Sequence, residues 1–306
     1  MEMANQTQPP KNNAPEIRVA IRSDAAGVMD LLKSTPYRHI HVDWYLPGEW
    51  IGSPGFVVQT KQEEQTAVSN KLFGAKEKIQ ACFAATADPL PAAWVRVTAV
   101  SPELDPQETI KQLAVPVLEF LKSQHVSEIG WLVIESWPNE WLAELGFTRQ
   151  NEIITYRKED VAYPQVTPRD NILIRPVEPN DFERLAEIEE AAYTPLWRHS
   201  AHALKMAYAQ QFSFDVVLYD GVIAGFQLSA RGQQGVHLAR LTIDPAYQKK
   251  GIGSALLANT LEGYHNRGMV NASLNTQRDN VASQFLYKKF GFVPTQDIFP
   301  VWVMNL

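Results

Sequence analysis

Residues 238–254 read Leu238-Ala239-Arg240-Leu241-Thr242-Ile243, then Asp244-Pro245-Ala246-Tyr247, then Gln248-Lys249-Lys250-Gly251-Ile252-Gly253-Ser254. The first six residues form a strand pattern, and an apolar helix follows the last glycine with Ala255, Leu256, Leu257, Thr260 and Leu261. The glycines therefore stand where a loop becomes a helix. The first backbone N–H groups of a helix lack intrahelical partners and carry the positive end of its dipole. Glycine lets a diphosphate approach those amides, and Lys249 and Lys250 add positive charge. Two close glycines also serve a tight turn, so the order strand, Pro245, Gln248, Gly251, Gly253, helix carries the reading. A nucleotide P-loop needs Lys-Ser/Thr after its second glycine, and a dinucleotide fingerprint needs Gly-x-Gly-x-x-Gly; neither is present.

A second stretch lies downstream. Residues 270–276 form a partly alternating strand, followed by Asp279-Asn280, a helix with Ala282, Phe285 and Leu286, then Tyr287 and Phe290-Gly291-Phe292. Gln-x-x-Gly-x-Gly after a strand, with Asn280 and Tyr287 and the Gly-Phe pair beyond, resembles the GNAT superfamily of acyl-CoA-dependent N-acyltransferases. The resemblance implies that Gln248, Lys249, Lys250, Gly251, Ile252, Gly253 and Ser254 carry the coenzyme A pyrophosphate. It implies that the backbone of Leu241, Thr242 and Ile243 is held open to bond pantetheine and the acyl carbonyl. It gives Asn280 to the pantetheine or phosphate arm and Tyr287 to protonation of the departing thiolate. Taken by themselves, Asn280 also suits a helix N-cap, Tyr287 a core aromatic with its hydroxyl at the edge, and Gly291 a left-handed helix end.

Length bounds the organisation. The chain has 306 residues, which suits two domains of about 150. Net charge is −6 with no basic run, which argues against nucleic acid as the main partner. The one cysteine, Cys82, excludes an intramolecular disulfide and suits a reducing, cytoplasmic setting. No segment approaches the ~20 apolar residues of a membrane span. Residues 1–16 are polar and read as a disordered tail. No Cys/His spacing indicates a metal; His199 and His202 share a helix face without a carboxylate.

Two halves follow one plan. The second half reads Ile172–Arg175 strand, Asn180–Ala192 helix, Ser200–Gln210 helix, and strands at 214–219, Val222–Arg231 and Val236–Ile243. Asp220-Gly221 and Gly232-Gln233-Gln234-Gly235 mark the turns. The first half gives Ile17–Ile21 strand, Asp24–Lys33 helix, and strands at Phe56–Thr60, Ile79–Thr86 and Ala92–Ala99. A long helix Gln107–Gln124 and strands Ile129–Ile134 and Glu152–Arg157 complete it. Leu145-Gly146-Phe147 and Phe290-Gly291-Phe292 lie 145 residues apart, which points to an internal repeat. The pattern shows a mixed α/β fold, an α+β mixed sheet; the resemblance makes it two tandem GNAT-like domains, 17–160 and 172–306, joined by a linker at 161–171.

The first copy lacks the chemistry. Its counterpart of the phosphate loop is Ser101-Pro102-Glu103-Leu104-Asp105-Pro106-Gln107-Glu108, without glycine and with acidic side chains. The same shift sets Glu135 opposite Asn280 and Leu142 opposite Tyr287. The first copy is therefore expected to be degenerate. Trp44, Tyr45 and Trp50, with His39 and His41, either line a pocket or pack a loop.

The expected activity is acetyl transfer from acetyl-CoA, as co-substrate, to an amine by direct attack on the thioester, with no metal. Relatives that modify protein N-termini carry a Glu on the strand after the phosphate helix; here that position is Asn275, which favours a small-molecule amine as acceptor. Base candidates are Glu189, Glu190, His199, His202 and His237. The competing expectation is an acyl-CoA-binding sensor or structural protein without turnover. The oligomeric state is left open.

Overall fold

Asp220 and Gly221 both adopt positive φ, 50° and 83°. A two-residue hairpin turn of this kind demands that conformation, and Asp-Gly supplies it. The turn joins β9 (Ser213–Tyr219) to β10 (Val222–Gly232), which pairs antiparallel with β11 (Gly235–Ile243). The structure is a computed structural model that describes residues 15–41, 43–62, 77–160, 162–167, 169–232 and 235–306. Gln233 and Gln234, read above as part of a turn, and residues 1–14 of the segment read as a tail lie outside the described residues, whereas Glu16, the last residue of that segment, opens a strand.

Contacts divide the chain into two compact units. One holds residues 1–40, 47–85 and 96–120; the other holds 41–46, 86–95 and 121–306. The first unit holds β1 (Glu16–Val19), β3 (Phe56–Gln62), β4 (Glu77–Ala87) up to residue 85 and β5 (Ala92–Val100) from residue 96, in that order, with α1 (Ala25–Ser34) and α2 (Pro106–Ser123) up to residue 120. A short strand absent from the sequence reading, β2 (Tyr37–Ile40), pairs with β5 from Val97 to Val100.

The second unit carries the larger sheet. β6 (Glu128–Leu132), β13 (Val293–Asn305), β7 (Thr148–Lys158), β12 (Ala272–Gln277), β11, β10, β9 and β8 (Ile172–Pro176) succeed one another. The last strand of each half is thus exchanged. β7 pairs with β12 from Ala272 to Gln277, and β13 pairs with β6 from Val301 to Asn305. β13 also pairs with β7, so the exchanged strands lie side by side.

Helices cover both faces of this sheet. From α3 (Phe182–Ala192) and α4 (Ala201–Gln210), Leu185, Ile188 and Leu204 pack with Phe214, Val216, Phe226 and Leu228. From α5 (Ile252–Asn266) and α6 (Val281–Lys289), Leu257, Leu261 and Tyr287 pack with Val236, Leu238 and Leu274. Among the described residues no helix is long and apolar enough to cross a membrane.

The repeat is visible at its two ends. Arg18 forks onto Asp24 at 2.6 and 2.9 Å, and Asp24 accepts the Ile21 amide at 2.8 Å. Arg175 forks onto Asp181 at 2.7 and 3.0 Å, and Asp181 accepts the Glu178 amide at 2.7 Å. Gly146 and Gly291 both hold positive φ, 94° and 81°. The same local solutions close the same turns in each half.

Candidate active site

β11 and β12 run parallel but share register only at Val236/Ala272, His237/Ser273 and Leu238/Leu274. Beyond Leu238 the strands part. On the other edge of β11 the register with β10 slips between Leu228 and Ser229, so that Ala239 is the extra residue of a bulge. The bulge reverses the side-chain alternation. Leu238, before it, packs with the α5–α6 face; Leu241 and Ile243, beyond it, pack there too. Arg240 and Thr242 point to the opposite face, where they meet Glu189 of α3. Leu241, Thr242 and Ile243 therefore form the splayed end of β11, with a backbone edge turned toward the opening.

The loop at the end of β11 is shaped by backbone. Gln248 turns its amide back to the Ile243 carbonyl at 3.0 Å. Lys249 and Gly251 take positive φ, 60° and 81°, and Gly251 is the N-cap of α5 without a side-chain cap bond. The first α5 amides, at Ile252, Gly253 and Ser254, precede the intrahelical ladder, which opens with Ala255 N–H on the Gly251 carbonyl at 3.1 Å. A Cβ on Gly253 would meet Ile243 and Leu286 at 3.6 Å, which is ordinary contact. This glycine is thus dispensable for packing, whereas Gly251 is required by its φ. Lys249 is exposed, and the Lys250 ammonium lies over the rings of Tyr219 and Tyr247 at 5.0 and 5.1 Å.

Arg169 completes this loop, and no motif pointed to it. Its Nη1 donates to the Lys250 carbonyl at 2.8 Å, and its guanidinium lies 3.5–3.6 Å from where a Gly251 Cβ would stand. The side chain is exposed and charged beside the open amides.

Asn280 caps α6, its Oδ1 accepting the Ser283 amide at 3.2 Å. Tyr287 lies one face down, 5 % exposed, with its ring 6.3 Å from Tyr156 of the exchanged strand β7 and 6.0 Å from Phe292. Burial pushes the Tyr287 phenol above its usual range; the neighbouring Tyr193 pushes the same way, while Ser283 and Arg240 pull back. The hydroxyl keeps its proton at neutral pH and is available as a hydrogen-bond donor to a leaving thiolate.

The opposite face holds a charged cluster. Glu189 is fully buried and accepts Arg240 Nε at 3.0 Å, Arg240 Nη2, Thr242 Oγ1 at 2.9 Å and the His199 amide at 3.1 Å. His199 Nδ1 stands 3.3 Å from the same carboxylate. The Tyr193 ring lies 3.9 Å from the Arg240 guanidinium, and its hydroxyl is 3.3 Å from Thr242 Oγ1. Burial opposes ionisation of Glu189, yet Arg240 and His199 outweigh it and hold the carboxyl at about 2.

The remaining base candidates are separated by the fold. Glu190 is exposed and faces Arg198 at 3.6 Å. His202 packs at 6.1 Å from the Tyr45 ring. His237 lies on the paired stretch of β11, with Nδ1 2.9 Å from Ser273 Oγ, and burial lowers its pKa. Asn275 is exposed on β12 opposite Thr155 of β7.

Of the aromatic segment, residues 41–46 belong to this unit. Trp44 packs on the α3–α4 core, and its carbonyl accepts Gln210 Nε2 at 2.7 Å. The His41 ring stands edge-on to Trp94 at 5.0 Å, and Trp94 stands against Trp197 at 5.2 Å. Trp94 Nε1 donates to the Leu196 carbonyl at 2.7 Å. Arg240 Nη2 donates to the Trp197 carbonyl, which sets the Trp197 end of this aromatic row beside Arg240. Among the described residues no group of three His, Cys, Asp or Glu is arranged for a metal ion.

The profile of the Acetyltransferase (GNAT) family matches residues 182–292. The [ribosomal protein bS18]-alanine N-acetyltransferase of Haemophilus influenzae is 31% identical over 120 residues, 39% of this chain and 80% of that protein. A GCN5-related N-acetyltransferase from Sphaerobacter thermophilus superposes over 98% of this chain and 97% of its own, with TM-score 0.59 and 16% identity. A tandem GNAT protein from the clavulanic acid biosynthesis pathway superposes over 95% of this chain and 98% of its own, with TM-score 0.58 and 14% identity. The chain belongs to the GNAT acetyltransferase family. It is an acyltransferase of the N-acetyltransferase kind, in the family that uses acetyl-CoA, and its fold is the tandem GNAT fold.

Proposed function

We propose that the chain moves an acetyl group from acetyl-CoA to the amine of a small molecule, and that only the second repeat, 172–306, does the chemistry. The observation that carries this is the parted stretch of β11 and β12, with the glycine-capped start of α5 at its outer end. Donors present there fit a diphosphate: the amides of Ile252, Gly253 and Ser254, Lys249, Lys250 and Arg169. Asn280 stands at the start of α6 for the pantetheine arm. Bound acetyl-CoA supplies the activated acyl group. The Leu241–Ile243 backbone holds the carbonyl and its developing negative charge, and Tyr287 gives its proton to the leaving sulfur.

The first repeat, 17–160, is read as a degenerate copy. Asp105 Oδ1 accepts the Glu108 amide at 2.8 Å, so the start of α2 is capped by its own carboxylate. A diphosphate is repelled there. The 161–171 linker adds Arg169 to the second repeat's loop.

A small acceptor is favoured by Asn275, which stands where the resemblance gives N-terminal-modifying relatives a Glu and which cannot act as a base. A second reading is a protein N-terminus, favoured by the relative named for alanine acetylation of ribosomal protein bS18. Release of thiol from acetyl-CoA, with product mass, separates them: one arm is a panel of small primary amines, the other a peptide beginning with alanine. Acetylation of a small amine alone supports the proposal, and acetylation of the peptide alone replaces it with the second reading. No thiol release in either arm rejects acetyl transfer at this site.

A further inference from the structure

Direct attack on a thioester needs a neutral amine, and an aliphatic amine at neutral pH is an ammonium. Tyr287 cannot take its proton, since a buried phenol is already protonated and serves as the acid. The structure divides the two tasks between the faces of the sheet. Tyr287 packs with α5 and β12 on one side of the opening; Glu189, Arg240, Tyr193 and His199 lie on the other.

Resting on the acetyl-transfer reading above, we propose that His199 takes the proton from the acceptor ammonium and that Glu189 is the positioning residue that prepares it. Glu189 is ionised and therefore only accepts hydrogen bonds. Its Oε2 takes the His199 amide at 3.1 Å and lies 3.3 Å from Nδ1. In the neutral ring Nδ1 must then carry the hydrogen, which leaves the Nε2 lone pair as proton acceptor. The His199 side chain is 19 % exposed, so it is held on one side and open on another. Glu189 itself is unfit as a base: it is fully buried, bonded by Arg240 and Thr242, and kept ionised to about 2.

The same carboxylate ties His199 to the reacting strand. Glu189 Oε1 bonds Thr242 Oγ1, and Thr242 belongs to the splayed end of β11. The imidazole is thus two hydrogen bonds from the backbone that would hold the acyl carbonyl. Proton flow balances as follows. The ammonium gives one proton to His199 Nε2, and the neutral nitrogen bonds the carbonyl carbon. The C–S bond then breaks with its electron pair on sulfur, which takes the Tyr287 proton. The amide nitrogen returns its remaining extra proton to the phenolate, and His199 releases its own to solvent. Titratable and charged neighbours that set this balance are Glu189 of α3, Arg240 of β11, Tyr193 and Arg198 of the α3–α4 connection and His202 of α4. Glu190 acts on Arg198, and Asp43 acts on Arg240.

Two measurements on the full chain test the proposal. Long-range ¹H–¹⁵N spectra, with the His199→Gln variant assigning the signals, read the ring's tautomer without any acceptor. A neutral ring protonated on Nδ1 supports the assignment, and one protonated on Nε2 overturns it. Kinetics then use whichever amine or peptide is turned over. His199→Gln is expected to lower kcat at least ~100-fold and to remove the acidic limb of the pH–kcat/KM profile, with acetyl-CoA affinity unchanged. A folded variant that keeps that limb and a near-normal kcat overturns it. If no acceptor is turned over, the acetyl-transfer reading fails, and the tautomer still reports on the Glu189–His199 pair.

Discussion

Arg240 Nε donates to Glu189 Oε1 at 3.0 Å while its Nη2 donates to Oε2, and the carboxylate is wholly withdrawn from solvent. The pair joins α3 to the splayed strand, because Thr242 bonds the same carboxylate. A buried pair of this kind is a weak source of net stability but costly to break, since removal of one partner leaves a buried charge uncompensated.

Glu189→Ala is accordingly expected to cost about 3–5 kcal/mol, read from urea unfolding at neutral pH. The wild-type carboxyl lies near 2 in the folded chain, against about 4.3 when unfolded. The folded pKa is the lower one, so the contribution is present above about pH 4.3 and is lost as pH falls toward 2. Unfolding midpoints of wild type and variant should therefore converge across that acid range. Parallel curves would show that the charge of Glu189 does not matter to the fold.

The two loop glycines should behave differently. Gly251 has φ 81°, so Gly251→Ala strains the backbone by about 1–2 kcal/mol. Gly253 has room for a Cβ, so Gly253→Ala should fold and bind acetyl-CoA nearly as wild type. Gly253→Glu should keep its unfolding midpoint and lose acetyl-CoA binding, because its carboxylate enters the diphosphate position. Arg169→Ala should weaken binding roughly tenfold, the value of a lost charge-assisted bond. Calorimetric titration of the four variants checks each expectation.

Tyr287→Phe tests the acid. Its kcat is expected to fall ~100-fold or more while acetyl-CoA affinity changes little. Loss of affinity with an unchanged kcat would make Tyr287 a packing residue of the α5–α6 core and nothing more.

In the first repeat, Asp105→Ala removes the carboxylate that caps α2 and should cost about 1 kcal/mol. Acetyl-CoA affinity should be unaffected. A gain of a second binding event, seen as a change in calorimetric stoichiometry, would show that the first repeat kept a latent site.

The exchange of strands predicts the behaviour of fragments. Residues 172–306 alone lack β7, which separates β12 from β13. The fragment exposes two unpaired strand edges and should aggregate or stay unfolded. Co-expression with residues 1–171 should restore a folded complex, visible by size-exclusion chromatography and circular dichroism.

Much of this was legible in the residues themselves. Gly-x-Gly between a strand and an apolar helix located the junction where the loop becomes α5, because Gly251 there takes a positive φ and the first amides of the helix precede its ladder. Asp220-Gly221 located the hairpin, and Leu145-Gly146-Phe147 beside Phe290-Gly291-Phe292 exposed the repeat. These are local signals, written in residues a few positions apart, and local backbone physics suffices to read them. The short strand β2 escaped because four residues carry too little periodicity.

What the sequence by itself determined was a mixed α/β chain with two like halves, one with a Gly-x-Gly loop before a helix and one without it. Only the tertiary structure decided which distant side chains meet. Glu189 and Glu190 are adjacent in sequence, yet one is sealed against Arg240 and the other faces water, because successive helix positions turn by about 100°. The bulge at Ala239 sends Arg240 to one face while Leu238 stays on the other, and no composition or spacing marks that slip. The exchange of β7 and β13 likewise has no local signature, since pairing partners in a sheet are chosen by long-range packing and not by neighbours along the chain.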